Sequence, residues 1–198
     1  LWQDLTKEEF FNSEGCSIIM KKITDYIIRF DNILDDKICV DIIKSSEDET
    51  FQSAAMGETE LKNDYRKCYE KPLGKKFDNV LFNATGEVIK RYEKIHPWFH
   101  SGSTIQDTGY MHLLYKGSQE GEYKIHVDHF DLYPRILSIS FILNDNYDGG
   151  DFVFFEEGSY TVKKKKGAAV VFPSNFCFPH AVLPVKNGDR HSVITWIN

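Results

Sequence analysis

From Thr104 to the C-terminus the chain breaks into short runs of β-branched and aromatic residues, each closed by a turn signal. The runs are Thr108–Tyr115, Tyr123–Val127, Ile136–Leu143, Phe152–Phe155, Tyr160–Lys163, Ala168–Phe172, Ala181–Val185 and His191–Ile197. Gly117, Gly121, Asn144–Asn146, Gly149–Gly150, Gly158, Gly167 and Asn187–Gly188 separate them. Residues of this kind fit a pleated, half-buried surface, and about eight short strands at this spacing predict a β-sandwich or jelly roll.

The first half reads differently. Ile23–Phe30 is rich in Ile and Tyr and predicts a strand. Asp35 suits a helix N-cap ahead of Ile38, Cys39, Ile42 and Ile43 at helical spacing, with an end near Ser45–Ser46. Residues 47–77 predict a strand near Phe51–Ala55 and then a long polar loop containing Gly57, Pro72 and Gly74. Its 56–76 portion is read as crossing the entrance of a site. A second helix starts at Asp78, with Val80, Leu81, Ala84, Val88, Ile89, Tyr92 and Ile95 as its apolar stripe, and Pro97 stops it. The expected class is mainly β with flanking helices (α+β). One domain spans 23–198, with a helical flank over 35–97 and a jelly-roll core over about 104–198, after an N-terminal extension at 1–22.

A net charge of -6 argues against nucleic acid or an anionic membrane surface as partner. The basic run Lys163–Lys166 reads as a solvated turn, offset by Glu156 and Glu157. No apolar run approaches the roughly 20 residues that span a bilayer. Cys16, Cys39, Cys68 and Cys177 form no Cys-x-x-Cys pair, so reduced thiols and a cytoplasmic location are expected. The start at Leu1 leaves a removed leader open, and the oligomeric state is not legible.

His126-Val127-Asp128 closes a predicted strand. Side chains two apart on a strand share a face, so an imidazole and a carboxylate can converge on one ion there. Alone, the pattern equally suits a surface histidine beside a turn aspartate. His180 begins another predicted strand after Phe176-Cys177-Phe178-Pro179. Two imidazoles and one carboxylate cover one face of an octahedral ion and leave three positions open. That suits non-haem iron(II), whereas structural zinc takes four ligands. Further on, Lys186-Asn187-Gly188-Asp189 predicts a type I′ hairpin turn, and the returning strand carries Arg190, Ser192, Ile194 and Trp196 on one face. An inward arginine needs an anionic partner, and a guanidinium fork matches the far carboxylate of a dicarboxylate. The opposite alternation, burying His191, Val193, Thr195 and Ile197, stays open. His96, His100, His112, His129 and His191 are not expected as ligands, and Cys177 is expected to be buried.

Together, His126-x-Asp128, His180 and Arg190 resemble the iron(II)/2-oxoglutarate-dependent dioxygenases. The resemblance is nearer still to their prolyl 4-hydroxylase group, the oxygen-sensing and collagen-modifying enzymes. It runs from Ile23 to Ile197 and includes Phe30–Leu34, Leu143-Asn144-Asp145 with Gly149-Gly150, Gly167 to Pro173, and Arg190 to Trp196. It implies a double-stranded β-helix (jelly roll) with iron(II) on His126, Asp128 and His180. It also implies 2-oxoglutarate and O2 as cosubstrates, ascorbate as reductant, and release of succinate and CO2. Tyr115, Arg190, Ser192 and Trp196 are implied at 2-oxoglutarate, and Tyr123, Arg135 and Trp196 beside a proline-containing peptide or protein. The chain departs from the oxygen-sensor pattern at Ile142, where that group has a tyrosine, and from the collagen type in having Arg190 rather than lysine. The same chemistry on a free amino acid or another side chain, and a non-catalytic jelly-roll binding protein, are the alternatives. The intact triad with Arg190 argues against the last.

Overall fold

The computed structural model describes residues 21–46, 51–54, 64–99, 105–129 and 134–198. Thirteen strands and two α-helices follow in the order β1 (Ile28–Phe30), α1 (Asp36–Lys44), β2 (Gln52–Ser53), β3 (Tyr69–Pro72), α2 (Asp78–Ile95), β4 (Met111–Lys116), β5 (Tyr123–His126), β6 (Leu137–Ile142), β7 (Asp148–Gly149), β8 (Phe152–Phe154), β9 (Tyr160–Val162), β10 (Ala169–Pro173), β11 (His180–Val182), β12 (Val185–Asn187) and β13 (Asp189–Ile197). They form a seven-stranded sheet in the order β1-β10-β6-β13-β4-β3-β2, a four-stranded sheet β5-β11-β8-β9, and the pair β12-β7. This is the jelly roll expected, with helices on one face.

The middle of the large sheet is buried on both faces. On one side Val193 and Ile197 of β13, with Ile139 and Phe141 of β6, share a core with Cys39 and Ile42 of α1 and Leu81, Val88 and Tyr92 of α2. On the other, Ile142, Val170 and Phe172 meet Phe154 and Val162 of the small sheet. A strand covered on both faces reads as a continuous apolar run, and all six residues of β6 are buried. The same geometry reconciles the two alternations open for the last strand. Arg190 and Ser192 face the space between the sheets, while Val193, Thr195 and Ile197 are buried toward the helices.

α1 starts as its sequence dictates, because the Asp35 carboxylate accepts from Ile38 N at 2.7 Å. Residues 23–30, expected as one strand, are a 3-10 turn at Ile23–Tyr26 followed by β1. The Asp25 carboxylate accepts from Lys22 N at 2.8 Å, a local bond that competes with strand pairing. The long polar loop is also corrected over its described part. Residues 65–67 run along β5, and β3 pairs with β4 in the register Tyr69↔Leu114. Residues 55–63 of that loop lie outside the described residues, as do residues 1–20 and His100.

The Asn187-Gly188 turn does not make a hairpin between neighbours in one sheet. β11 pairs with β5 and β8, whereas β13 lies between β6 and β4, so both edges of β13 are already taken. Gly188 alone of the two has positive φ, at 73°, whereas a type I′ turn needs both. The chain therefore passes from the β12-β7 pair to the large sheet at this point. The basic run is tied down rather than freely solvated. Lys165 pairs with Asp31 at 2.8 Å and Lys166 with Asp36 at 3.3 Å, while Lys164 Nζ donates to the Tyr147 and Gly149 carbonyls. Among the described residues no helix is long and apolar enough to cross a membrane. Cys39, Cys68 and Cys177 are free thiols, and Cys177 is half-buried where burial was expected.

Candidate metal centre

His126 ends β5 and His180 begins β11, and the two are register partners across that ladder. Asp128, two residues beyond His126, sends its carboxylate between them. Its Oδ1 lies 3.6 Å from His126 Nε2 and its Oδ2 3.5 Å from His180 Nε2. One ligand atom from each residue falls within 4.8 Å of the others. Both imidazoles are turned the same way by the backbone. His126 Nδ1 lies 2.8 Å from the Lys124 carbonyl and His180 Nδ1 3.0 Å from the Phe178 carbonyl. A carbonyl can only accept, so each Nδ1 carries the proton and each Nε2 faces the cluster with its lone pair.

The electrostatics complete a ligand-ready set. Burial pushes the Asp128 pKa up, but the His180 and His126 imidazoles and hydrogen bonds from Ser138 and Trp196 outweigh it and hold the carboxyl below its ordinary range. Burial, then the neighbouring His180, pulls His126 down to about 3. A carboxylate and two imidazole nitrogens on one side of a cavity fit an octahedral iron(II) ion with open positions opposite. Ser138 Oγ donates to Asp128 Oδ2 at 2.7 Å and lies 2.8 Å from Ser174 Oγ. Outer partners of this kind typically carry 10–100-fold of metal affinity. Ser138→Ala should therefore weaken iron(II) binding by roughly tenfold in an anaerobic titration. Wild-type affinity in that variant would make the serine pair incidental to the site.

The triad opens into a cavity of roughly 690 Å³ between the sheets. Arg190, 4 % exposed, reaches into it. Its Nη1 donates to Ser192 Oγ at 3.1 Å and its guanidinium lies 4.9 Å from the Tyr115 ring centroid. Burial pushes the Tyr147 pKa up, and the guanidinium lies close enough to draw it part of the way down. Among the described residues no carboxylate pairs with Arg190, so a buried guanidinium is held ready for an anion. Gly149 and Gly150 make the close approach possible. Gly150 has φ 61°, and a Cβ there would meet Tyr147 at 2.9 Å and Arg190 Cδ at 3.3 Å.

Tyr123, Arg135 and Trp196 also line the cavity. The Tyr123 and Trp196 rings both meet protein side chains. Tyr123 stacks on His126 at 3.5 Å and 16°, and Arg66 sits 4.7 Å from its centroid. Arg135 lies 3.6 Å over Trp196 and donates to the Asp128 carbonyl at 3.1 Å. Ile142 packs against Phe154 and Phe172 in the core between the sheets and offers no hydroxyl. His96, His112 and His191 are not in the cluster. His96 stacks on Tyr26 at 4.5 Å, and His112 Nε2 lies 3.1 Å from His191 Nδ1. His129 is exposed, lines the cavity and is not one of the three ligands.

Sequence reading missed Arg66, Glu70, Ser138, Ser174 and Tyr147. Ser138 and Ser140 did carry a signal, being polar residues two apart in a run that is otherwise apolar. Arg66 and Glu70 carried none, because they sit in a stretch without period.

The model of the 2OG-Fe(II) oxygenase superfamily matches residues 110–198, which hold all three ligands and Arg190. Prolyl 3-hydroxylase 2 of mouse is 28% identical over 128 residues, 52% of this chain and 18% of the relative. The human protein of that name is 28% identical over 142 residues, 59% of this chain and 20% of the relative, so the chain spans about a fifth of the curated relatives it matches. Among solved structures, a Trichoplax adhaerens prolyl hydroxylase in complex with a hypoxia inducible factor oxygen degradation domain peptide fragment superposes with TM-score 0.68 at 19% identity, covering 88% of this chain and 84% of that one. The viral collagen prolyl hydroxylase of Paramecium Bursaria Chlorella virus-1, as its 2OG complex, gives 0.66 at 18% identity, covering 87% and 95%. A Pseudomonas putida prolyl-4-hydroxylase gives 0.66 at 19% identity, covering 87% and 92%.

Proposed function

We propose, from the premise that this chain belongs to the 2OG-Fe(II) oxygenase superfamily, that it is an iron(II)- and 2-oxoglutarate-dependent dioxygenase that hydroxylates a proline in a peptide or protein. One observation carries the reading. Two imidazoles and a carboxylate share a cavity with a buried guanidinium that no carboxylate pairs with among the described residues.

His126, Asp128 and His180 hold the iron in this reading. Arg190 takes the far carboxylate of 2-oxoglutarate, with Ser192 and Tyr115 against its guanidinium and Trp196 on the same strand face. Bound iron(II), with O2 and 2-oxoglutarate, supplies the oxidative decarboxylation that yields succinate and CO2 and hydroxylates a C–H bond. Ascorbate serves as reductant. The chain's own part is orientation. Asp128 stays anionic through Ser138 and Trp196, the backbone carbonyls fix both imidazole tautomers, and buried Tyr115 and Phe172 keep water from the inner end. Tyr123, Arg135 and Trp196 border the substrate side. The Tyr123 hydroxyl and the Arg135 guanidinium suit peptide carbonyls.

The names of the relatives support a prolyl substrate, and the peptide fragment in complex with the Trichoplax enzyme supports a peptide partner. A net charge of -6 supports a partner other than nucleic acid or an anionic membrane. The free thiols support a reducing, cytoplasmic setting. Residues 23–198 act as one domain in this reading, with β1, β2 and β3 contributed to the large sheet by the segment ahead of the jelly-roll core.

Iron-loaded protein should release succinate when given proline-containing peptides, and mass spectrometry should find one oxygen added at that proline. Proline→alanine peptides should abolish both. Turnover stimulated by free amino acids alone, with no oxygen on any peptide, would overturn the prolyl substrate and keep the dioxygenase.

A further inference from the structure

We propose that Arg66 is a positioning residue for the metal ligand His126, acting through the Tyr123 ring. The proposal rests on the metal reading of the triad. Residues 65–67 run antiparallel to β5, with Lys124 N bonded to the Tyr65 carbonyl at 3.0 Å and Lys67 N to the Glu122 carbonyl at 2.8 Å. Arg66 is thereby set directly across from Tyr123, where cross-strand side chains meet. An imidazole stacked 3.5 Å from the Tyr123 centroid occupies one face of that ring, so the guanidinium at 4.7 Å takes the other. Glu70 Oε2 holds Arg66 Nη2 at 3.1 Å, and the Arg66 side chain is only 10% exposed. The result is an ordered column, Glu70–Arg66–Tyr123–His126, ending on a ligand.

The two ligand histidines are held by different means. His180 is buried among Phe152, Phe154 and Phe172, at ring distances of 5.6, 5.6 and 4.8 Å, and this packing fixes its plane together with the Nδ1 bond to the Phe178 carbonyl. His126 lies near the sheet edge. Its plane is set by the Nδ1 bond to the Lys124 carbonyl, a tilted contact with the His180 ring at 4.2 Å and, face to face, the stack on Tyr123. A cation over a phenol ring holds that ring in place, and the effect grows as the pair is desolvated. Arg66 therefore sets how steadily His126 Nε2 points at the ion, from a segment with no ligand of its own.

Cobalt(II) titration of the metal-free protein, followed by its visible d–d absorption, tests this without turnover. Arg66→Met keeps the methylene stem and removes the fork. It should weaken cobalt binding by about three- to tenfold and alter the d–d band, in line with other outer partners of metal ligands. Arg66→Lys should recover part of the loss. Tyr123→Phe should keep wild-type affinity, since the ring remains, and Tyr123→Leu should lose at least as much as Arg66→Met. Circular dichroism checks that each variant is folded, and Arg66→Met decides alone if Tyr123→Leu is not. Wild-type affinity and spectrum in Arg66→Met, with cobalt binding lost in His126→Ala, would overturn the role of Arg66 and leave the metal centre standing. No cobalt bound by the wild type, or normal binding by His126→Ala, would overturn both.

Discussion

Replacing His180 with alanine should cost the protein its iron. The ligand atoms of His126, Asp128 and His180 lie within 4.8 Å of one another, and a facial set of three has no spare member. His180 is 4 % exposed and sits among aromatic rings, so in the variant its place is lined by hydrocarbon rather than by a substitute donor. Outer partners of metal ligands typically carry 10–100-fold of affinity, so loss of a direct ligand should exceed that, at roughly 100-fold or more. The cavity left among Phe152, Phe154 and Phe172 also destabilises the fold, by about 1–3 kcal/mol on the scale of large-to-small core substitutions. Anaerobic iron(II) titration, paired with a thermal melt, separates the two effects. Iron affinity equal to wild type in a folded His180→Ala protein would remove this residue from the site.

Arg190→Ala should raise the 2-oxoglutarate requirement by at least tenfold. A charge-assisted, two-pronged bond to a carboxylate contributes roughly 1.5–3 kcal/mol, equivalent to about 10–150-fold in affinity. Ser192 and Tyr115 beside Arg190 offer a hydroxyl and a ring face, and Arg66, the other arginine near Tyr115, is already paired with Glu70. Lysine should restore only part of the affinity, since a point charge cannot reproduce the fork. Isothermal titration of 2-oxoglutarate into manganese-loaded protein reads the effect without turnover. A normal 2-oxoglutarate affinity in Arg190→Ala would mean that the anion binds elsewhere in the cavity.

Several features of the site are legible in the residues themselves. His126 and Asp128 share a face because strand periodicity is local. The α1 and α2 helices follow from an N-cap, an apolar stripe and a proline stop. Arg190 stands out because an arginine amid Ser192, Ile194 and Trp196 is costly without an anion. Other features are not legible there. The two alternations of β13 cannot be ranked from one strand, and both are buried, because the large sheet is covered by helices on one side and by the small sheet on the other. Ile142 announces a missing hydroxyl. That a tyrosine five residues later comes to lie with Arg190 against Gly150 depends on the backbone path through Gly149 and Gly150, whose positive φ values no periodicity encodes.

Periods, turns and ligand types are local matters. A strand's alternation, a helix's stripe and the chemistry of histidine, aspartate and arginine are properties of residues and near neighbours. Which strands lie side by side, and so which side chains meet, is settled by the packing of the whole chain. Asn187-Gly188 reads locally as a hairpin, yet β11 and β13 belong to different sheets, because β4 and β6 already satisfy the hydrogen-bonding edges of β13. Arg66 lies 60 residues before His126 in a stretch without pattern, and reaches it only because residues 65–67 pair with the edge of β5. Pairing partners are chosen by the competition of all strands for edges and of all apolar faces for burial, and that sum is not carried by any local segment.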